Sequence, residues 1–304
     1  MSQPAFAKVS ALLCLVLSTA VYLALEPAGA SGNQPLKSKA TAKFDQSYSA
    51  YGKELAKYVE KDGTVHYKKW QADQAGLDRF IEELANLSAS EFKHFSPDER
   101  KALWLNAYNA LAIKVVLTHY PISGNDSQYP ADSFRQIRSC WECQKFNIVG
   151  TPTTLYDIEH ERLRHDFRDP RIHFAVVCAS RSCARLSADP FVGKNLESRL
   201  DQCTRDFFAD AANLAVDPVS GRVGVNKIFS WFTLDFAAKA GFTRKTFPPP
   251  ADEEIIASYA SYYVPSDERK VLCGYLKDKK LKLEYLPYDW SLNDADAINN
   301  RLKQ

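Results

Sequence analysis

The chain has 304 residues, of which 45% are hydrophobic, 25% charged and 12% aromatic. These proportions are ordinary for a globular protein, and they exclude collagen-like, coiled-coil and intrinsically disordered chains. The net charge of +2 at pH 7 disfavours a dedicated nucleic-acid-binding protein, because such proteins concentrate positive charge. We therefore expect a globular protein without a nucleic-acid partner.

The first thirty residues have the features of a secretory signal peptide. An apolar run over residues 9–25 follows Lys8, and Ala28-Gly29-Ala30 has the small-x-small pattern that precedes cleavage. We expect a cut after Ala30, a polar linker over residues 31–42 and one globular domain over residues 43–304. An uncleaved anchor is the alternative, because the apolar run is just long enough to span a bilayer. Cleavage predicts a periplasmic or secreted protein with no stable membrane span.

Periodicity and capping signals predict the elements that follow. Helical spacing of apolar residues and capping residues predict helices over residues 44–58, 97–120, 154–164, 196–207, 252–263 and 267–276. Alternating or continuous apolar residues predict strands over residues 64–67, 145–149, 171–178, 222–225 and 281–285. Strands and helices do not alternate regularly, so the fold class is α+β, with mixed helices and a small sheet. Papain-like and transglutaminase-like folds are the candidates within that class.

Four sequence motifs resemble those of a known family. They are WLNAYNA at residues 104–110, LYDIEH at 155–160 with Arg164, HFAVVCAS at 173–180 with Cys183, and YDWSLN at 288–293. In these motifs the chain resembles the domain-of-unknown-function-547 family over about residues 44–293. The family usually has a proline after the second cysteine, where this chain has Ala184. The resemblance implies important positions but no reaction, so the chemistry has to be argued from the residues.

Cys178 is the candidate nucleophile. It ends the predicted apolar strand and leads into a small polar loop, where reactive groups are often found. A nucleophilic cysteine needs a stabilised thiolate, and Arg181 is close enough in sequence to lower the thiol pKa. The structural alternative is that Cys178 is a small core residue, as free cysteines often are.

His160 is the candidate base. The predicted cap at Thr154 places it on a helix, with Arg164 one turn further along the same face. His173 is nearer to Cys178 in sequence, but in a strand the two side chains would point to opposite faces. Glu159 projects about 100° around the helix from His160, so it is expected to orient another group.

Two amides on the predicted central helix complete the candidate site. Asn106 and Asn109 lie on an otherwise apolar helix and must be hydrogen-bonded if they are buried. The predicted catalytic residues are Cys178, His160, Glu159 and Asn106. The predicted binding or supporting residues are Asn109, Arg164, His173, Ser180 and Cys183.

The other cysteine patterns have several interpretations. Cys178 and Cys183 are close enough in sequence to form a disulfide, and Cys140 with Cys143 forms a C-x-x-C pair that suits a local disulfide or a redox pair. His160 and His165 follow that pair at a spacing similar to a zinc site. They are five residues apart, which turns them away from each other on a helix, so we predict no metal and no cofactor.

Three functions follow from these residues. The first is a thiol-dependent hydrolase or acyltransferase acting on an envelope amide or thioester, which would be a small-molecule or peptide-like substrate. The second is a thiol–disulfide redox or thiol-binding protein that uses Cys178 and Cys183 or the C-x-x-C pair. The third is a non-catalytic ligand-binding module. The first requires a histidine near an acidic thiol, whereas the second requires a reversible disulfide.

Overall fold

The computed structural model describes residues 43–301 except Arg244, so the predicted signal peptide and linker lie outside the described residues. The α-helices are α1 Ser49–Tyr58, α2 Tyr67–Gln71, α3 Ala75–Asn86, α4 Ala89–Phe92, α5 Pro97–His119, α6 Leu196–Phe208, α7 Ile228–Ala237, α8 Asp252–Ala260, α9 Ser266–Lys277 and α10 Ala295–Arg301. The strands are β1 Phe146–Ile148, β2 Thr151–Thr153, β3 Leu214–Val216, β4 Arg222–Val225 and β5 Lys282–Tyr285. A π-helix covers Asp157–Phe167, and 3₁₀ helices cover Phe134–Gln136, Pro170–Phe174 and Gly193–Asn195.

Helix α5 is the central element and begins where the sequence predicts. The Ser96 hydroxyl accepts a hydrogen bond from the Glu99 backbone N–H at 3.2 Å, and the Glu99 carboxylate accepts one from the Ser96 N–H at 2.7 Å. This reciprocal pair satisfies two backbone donors that a helix start leaves open. From Lys101 to Leu117 the helix is buried on almost every side. The two asparagines of α5 therefore lie inside the protein.

The hydrophobic core has two parts. The first surrounds α5 and includes Trp70, whereas the second lies among α7, α8, α9 and the sheet and includes Phe229. The 3₁₀ helix Pro170–Phe174 lies between them, because Ile172 packs in the first part and Phe174 in the second. The segment that follows this helix, which carries Cys178, is thereby held against both.

The two sheets are small. Strands β1 and β2 form an antiparallel hairpin whose turn residues, Val149 and Gly150, both have positive φ, as a two-residue turn of this kind requires. Strand β4 pairs antiparallel with β3 and parallel with β5. Helices therefore dominate over two short sheets, which confirms the α+β prediction. No helix among the described residues is long and apolar enough to cross a membrane.

Two strand predictions are wrong. Residues 171–178 contain the 3₁₀ helix, which Asp169 caps by accepting a hydrogen bond from the Arg171 N–H at 3.1 Å, and the rest of the run is irregular. The apolar run is buried because it packs between the two parts of the core, and burial of that kind produces the same sequence pattern as a buried strand. Residues 64–67 contribute only isolated bridges at Val65, after which Tyr67 begins α2.

The helix predicted from Thr154 is wound as a π-helix. Thr154 and Asp157 exchange hydrogen bonds between side chain and backbone at 2.9 and 3.1 Å, which is the predicted cap. The helix then runs from Asp157 to Phe167, well beyond the single turn at which most π-helical segments stop. Because π-helical turns concentrate at functional sites, the residues of this helix are natural site candidates.

Candidate functional site

The cysteine segment, residues 175–183, is called the thiol loop below. Asn109 of α5 fixes its start: the side-chain amide donates to the Ala175 carbonyl at 2.9 Å and accepts from the Val177 N–H at 2.9 Å. Both partners are backbone groups, and Asn109 is buried. A two-point contact of this kind fixes both the position and the orientation of the loop just before Cys178.

Cys178 is partly exposed and surrounded by hydrogen-bonding groups. Its backbone N–H donates to the Cys183 sulfur at 3.2 Å. Its own sulfur lies 3.2 Å from the Ser180 hydroxyl and 3.7 Å from the Tyr288 hydroxyl. The two hydroxyls are 2.8 Å apart, so they can share donation to the sulfur. Both cysteines are free thiols.

These contacts favour the thiolate form of Cys178. The hydrogen bond from the Cys183 thiol is the largest cause, and with the hydroxyls of Ser180 and Tyr288 it outweighs burial and lowers the Cys178 pKa to about 6. The pKa of Cys183 is raised well above its usual range, because ionisation would lose that hydrogen bond and place two charges together. The Val176 carbonyl, 3.6 Å from the Cys183 sulfur, is the other acceptor within reach of this thiol. One thiol therefore ionises easily while its neighbour keeps its proton.

The backbone turns sharply after Cys178. Ala179 has a φ of 60°, in the left-handed region that residues with a Cβ rarely adopt. Such strain persists only where surrounding contacts impose it, and it concentrates at functional sites. Here the Ala179 carbonyl accepts a hydrogen bond from the Asn293 N–H at 2.9 Å, so a distant segment holds the strained turn.

That distant segment is the fourth sequence motif, residues 288–293, called the C-terminal strap below. Its carbonyls accept hydrogen bonds from the thiol loop: Arg181 donates to Ser291 at 2.9 Å and Ser182 to Asp289 at 3.1 Å. Tyr288 is a partner of the thiol that was not among the predicted site residues, although its place in a shared motif is a usable signal.

A second group of motif residues gathers around Asp235 of α7 and is called the ion-pair centre. Arg164 donates to both carboxylate oxygens of Asp235, at 2.6 Å from Nε and 3.0 Å from Nη2. His173 Nε2 lies 2.8 Å from the same carboxylate, and His160 Nδ1 lies 2.6 Å from Arg164 Nη1. Residues from the π-helix, the 3₁₀ helix and α7 therefore meet in one network.

The kink in α7 makes this network possible. Phe232 has non-helical dihedral angles inside α7, and its ring stacks on His173 at 4.2 Å between centroids. The Arg164 guanidinium lies over the same ring at 4.7 Å. The preceding residue, Trp231, instead packs against Tyr288 at 4.9 Å. Helix α7 thus contacts the ion-pair centre through the Phe232 ring and the surroundings of Cys178 through the Trp231 ring.

The charges of the ion-pair centre stabilise one another. Burial raises the Asp235 pKa, but hydrogen bonds from His173 and Arg164 outweigh it, so that pKa lies well below its ordinary value. Burial disfavours the charged form of Arg164, yet its bonds to Asp235 give a net rise in the pKa. The pKa of His160 is lowered, chiefly by burial, so this imidazole is neutral at pH 7. A cavity of about 750 Å³ opens beside His160, Arg164 and Asp235.

Two of the predicted catalytic residues have partners other than Cys178. Both polar atoms of the Asn106 side chain bond to the Phe191 backbone, at 2.8 and 2.9 Å. The buried Glu159 accepts a hydrogen bond from the Tyr108 hydroxyl at 3.0 Å. Among the described residues, Cys178 takes its hydrogen-bond partners from Cys183, Ser180 and Tyr288, and the predicted partner His160 is not one of them.

The structure therefore divides the predicted site residues. The thiol centre consists of Cys178, Ser180 and Cys183, together with Asn109, which contacts the backbone of the loop. The ion-pair centre contains His160, Arg164 and His173. The strand argument that turned His173 away from Cys178 does not apply, because no strand is present there; His173 is a buried histidine bonded to Asp235. Within the described residues, no group of three or more His, Cys, Asp or Glu side chains is arranged to hold a metal ion.

Comparison with known proteins agrees with the sequence motifs. The family model described as "Protein of unknown function, DUF547" matches residues 92–208. This range contains three of the four motifs and ends well before the C-terminal strap. No curated protein and no solved structure matches the chain. The papain-like or transglutaminase-like fold therefore stays a prediction.

Proposed function

Residues 92–208 belong to the DUF547 family, and from the thiol centre within that segment we propose that the protein is a dithiol redox protein. In this proposal it exchanges disulfides through Cys178 and Cys183. The observation that carries the proposal is the pair of neighbouring free thiols: the Cys178 backbone N–H donates to the Cys183 sulfur at 3.2 Å, and Cys183 is the largest cause of the lowered Cys178 pKa. Dithiol oxidoreductases use one acidic, accessible cysteine and one protonated neighbour in the same way.

The proposed reaction needs only a substrate disulfide. The Cys178 thiolate attacks one sulfur of that disulfide, the substrate S–S bond breaks, and the other substrate sulfur leaves as a thiolate that takes a proton from solvent. Cys183 then loses its proton to solvent and attacks the Cys178 sulfur, which releases the second substrate thiolate and leaves a Cys178–Cys183 disulfide. The substrate gains two electrons, the cysteine pair loses two, and an external dithiol reverses the change.

Trapping the mixed disulfide tests this proposal. A cysteine peptide carried as its mixed disulfide with thionitrobenzoate is added to wild type and to Cys183→Ala, and products are identified by mass spectrometry. Wild type should release the peptide and end with a Cys178–Cys183 disulfide, whereas Cys183→Ala should stop with the peptide attached to Cys178. Cys203→Ala is the matched control and should behave as wild type. Failure of wild type to form the internal disulfide would contradict the proposal.

A thiol-dependent hydrolase or acyltransferase is the second candidate, with Cys178 as nucleophile and His160 as base. The observation that favours it is the partly exposed Cys178 sulfur beside the Ser180 and Tyr288 hydroxyls, because a nucleophilic cysteine needs donors that stabilise its thiolate. An acyl ester such as p-nitrophenyl acetate distinguishes the two. A Cys178 acyl-enzyme that turns over more slowly in His160→Ala would support acyl transfer, and inertness in both assays would favour a ligand-binding module.

Redox chemistry of this kind suits an exported protein, because disulfides persist outside the cytosol. The proposed location is periplasmic or secreted, and it rests on the apolar run and the Ala28-Gly29-Ala30 pattern. N-terminal sequencing of the protein from its native cell would test it. A mature chain that begins at residue 31 is expected, and a retained Met1 would contradict cleavage.

A further inference from the structure

Four partly exposed aromatic side chains form a contiguous cluster, called the aromatic wall: Tyr129, Trp231, Tyr288 and Trp290. The Trp290 ring is at the centre, with centroids 4.5 Å from Tyr288, 5.4 Å from Trp231 and 5.7 Å from Tyr129. The aromatic rings of the second core part, such as those of Phe229 and Phe236, are by contrast fully buried. A contiguous group of accessible aromatic rings is typical of recognition surfaces.

The wall reaches the reactive sulfur. The Tyr288 hydroxyl lies 3.7 Å from the Cys178 sulfur and 2.8 Å from the Ser180 hydroxyl, while the Tyr288 ring packs against Trp231 and Trp290. A molecule bonded to Cys178 therefore lies beside the Tyr288 hydroxyl, and the Tyr288 ring connects it to the other rings. The wall is a part of the site at which the proposed exchange takes place and not a separate surface.

The wall is also rigid and carries few charges of its own. The Arg135 guanidinium lies over the Tyr129 ring at 5.6 Å and over Trp290 at 4.9 Å, which limits the motion of both rings. At its edge Arg181 and Asp289 form an ion pair at 3.7 Å, so their charges offset each other. The stacked rings offer large apolar contact areas, which suit apolar and aromatic side chains.

We propose that the aromatic wall binds the residues flanking a cysteine in a polypeptide disulfide, and that it selects apolar and aromatic residues there. This inference rests on the proposed redox function and names its substrate class: incompletely folded or exposed polypeptides rather than low-molecular-weight disulfides. Large rigid rings give much contact area at little entropic cost, which is how Tyr and Trp serve in other recognition surfaces. Trp290 is then a specificity residue, and its role is binding rather than chemistry.

The inference is tested by comparing exchange rates with two peptides. Two eight-residue peptides carry one cysteine as a thionitrobenzoate mixed disulfide, flanked by Leu and Phe in one and by Ser and Asp in the other. Rates against concentration are measured for wild type, Trp290→Ala, Trp290→Phe and the exposed control Tyr262→Ala, each normalised to its own iodoacetamide rate. The normalisation removes any change in thiolate reactivity, and Trp290→Phe keeps an aromatic ring if alanine impairs folding.

Wild type should show a lower KM for the Leu/Phe peptide by about three- to tenfold, as expected for stacking on one or two rings. Trp290→Ala should lose that preference, whereas Trp290→Phe and Tyr262→Ala should keep it. Equal KM values in wild type, or a preference that survives in Trp290→Ala, would overturn the inference and leave the redox function standing. Faster reaction with glutathione–thionitrobenzoate than with either peptide would overturn it in favour of a small substrate. Absence of any exchange at Cys178 would overturn both.

Discussion

The thiol centre and the ion-pair centre are built from the same set of sequence motifs, yet their polar groups are used differently. In the ion-pair centre each charge has an opposite charge beside it, because Arg164 binds both oxygens of Asp235 and His173 binds one of them. In the thiol centre, neutral donors surround Cys178 and stabilise its charged form. Opposite charges that satisfy each other stabilise a fold, whereas an anion held by neutral donors remains available to react.

This comparison predicts that Asp235 matters first for stability. Replacing Asp235 with Asn leaves Arg164 partly buried without its counter-charge, and we expect a loss of about 2–3 kcal/mol in the free energy of unfolding. Urea denaturation measures it. Asp267→Asn is the control, because Asp267 pairs with Lys270 at an exposed site and should cost less than about 0.5 kcal/mol. A similar loss in both variants would show that the ion-pair centre is an ordinary surface pair.

The pH dependence sharpens the same prediction. The pKa of Asp235 is lower in the folded protein than in the unfolded chain, so its contribution is fully present above about pH 4 and is lost as the pH falls further. The stability difference between wild type and Asp235→Asn should therefore be constant from neutral pH to about pH 5 and shrink in stronger acid. A difference that grew in acid would have the wrong sign for a depressed pKa.

The two buried asparagines of α5 provide a matched pair. Asn106→Ala and Asn109→Ala each leave two buried backbone groups without a partner, so each should cost about 2 kcal/mol of stability. Only Asn109 holds the thiol loop, and only Asn109→Ala should also change the alkylation rate of Cys178, by several-fold. Urea denaturation and iodoacetamide kinetics are measured on both. An equal effect of Asn106→Ala on the rate would support its predicted catalytic role.

Removing the neighbouring thiol should lower the reactivity of Cys178, with a smaller change in free energy than the losses of stability predicted above. Cys183→Ala deletes the main cause of the low Cys178 pKa, so the midpoint of the alkylation rate against pH should rise from about 6 by roughly one unit. The rate at pH 6 should then fall by about fivefold, because the thiolate fraction falls from about one half to about one tenth. Cys183→Ser keeps a hydrogen-bond donor and should restore most of the rate. An unchanged midpoint in Cys183→Ala would remove the basis for the dithiol proposal.

Tyr288→Phe should have the smallest effect. It removes one hydroxyl at 3.7 Å from the sulfur while keeping the ring that packs on Trp231 and Trp290. We expect the midpoint of Cys178 alkylation to rise by less than about half a unit, because Ser180 still donates. A shift as large as that of Cys183→Ala would mean that the hydroxyl, and not the second thiol, holds the thiolate.

The sequence predicted those features of the structure that depend on residues close together in the chain. The Ser96 cap, the Thr154 cap, strand β4 over residues 222–225 and the pairing of His160 with Arg164 one turn later all depend on neighbours in the chain. Asp235 is not among the predicted site residues, because its partner Arg164 lies 71 residues away and no local pattern identifies such a pair. The strand predicted over residues 171–178 is wrong for a different reason. Apolar residues that pack between two parts of a core have the same sequence pattern as a buried strand.

The position of the C-terminal strap has a consequence for the order of events during synthesis. Tyr288 follows Cys178 by 110 residues, and the strap also supplies the carbonyl that receives the Arg181 N–H. A ribosome-bound chain that has emerged only as far as α9 contains both thiols but lacks these partners. The hydrogen-bonded surroundings of Cys178 are therefore complete only after the last segment of the chain has been made, although both thiols are present long before.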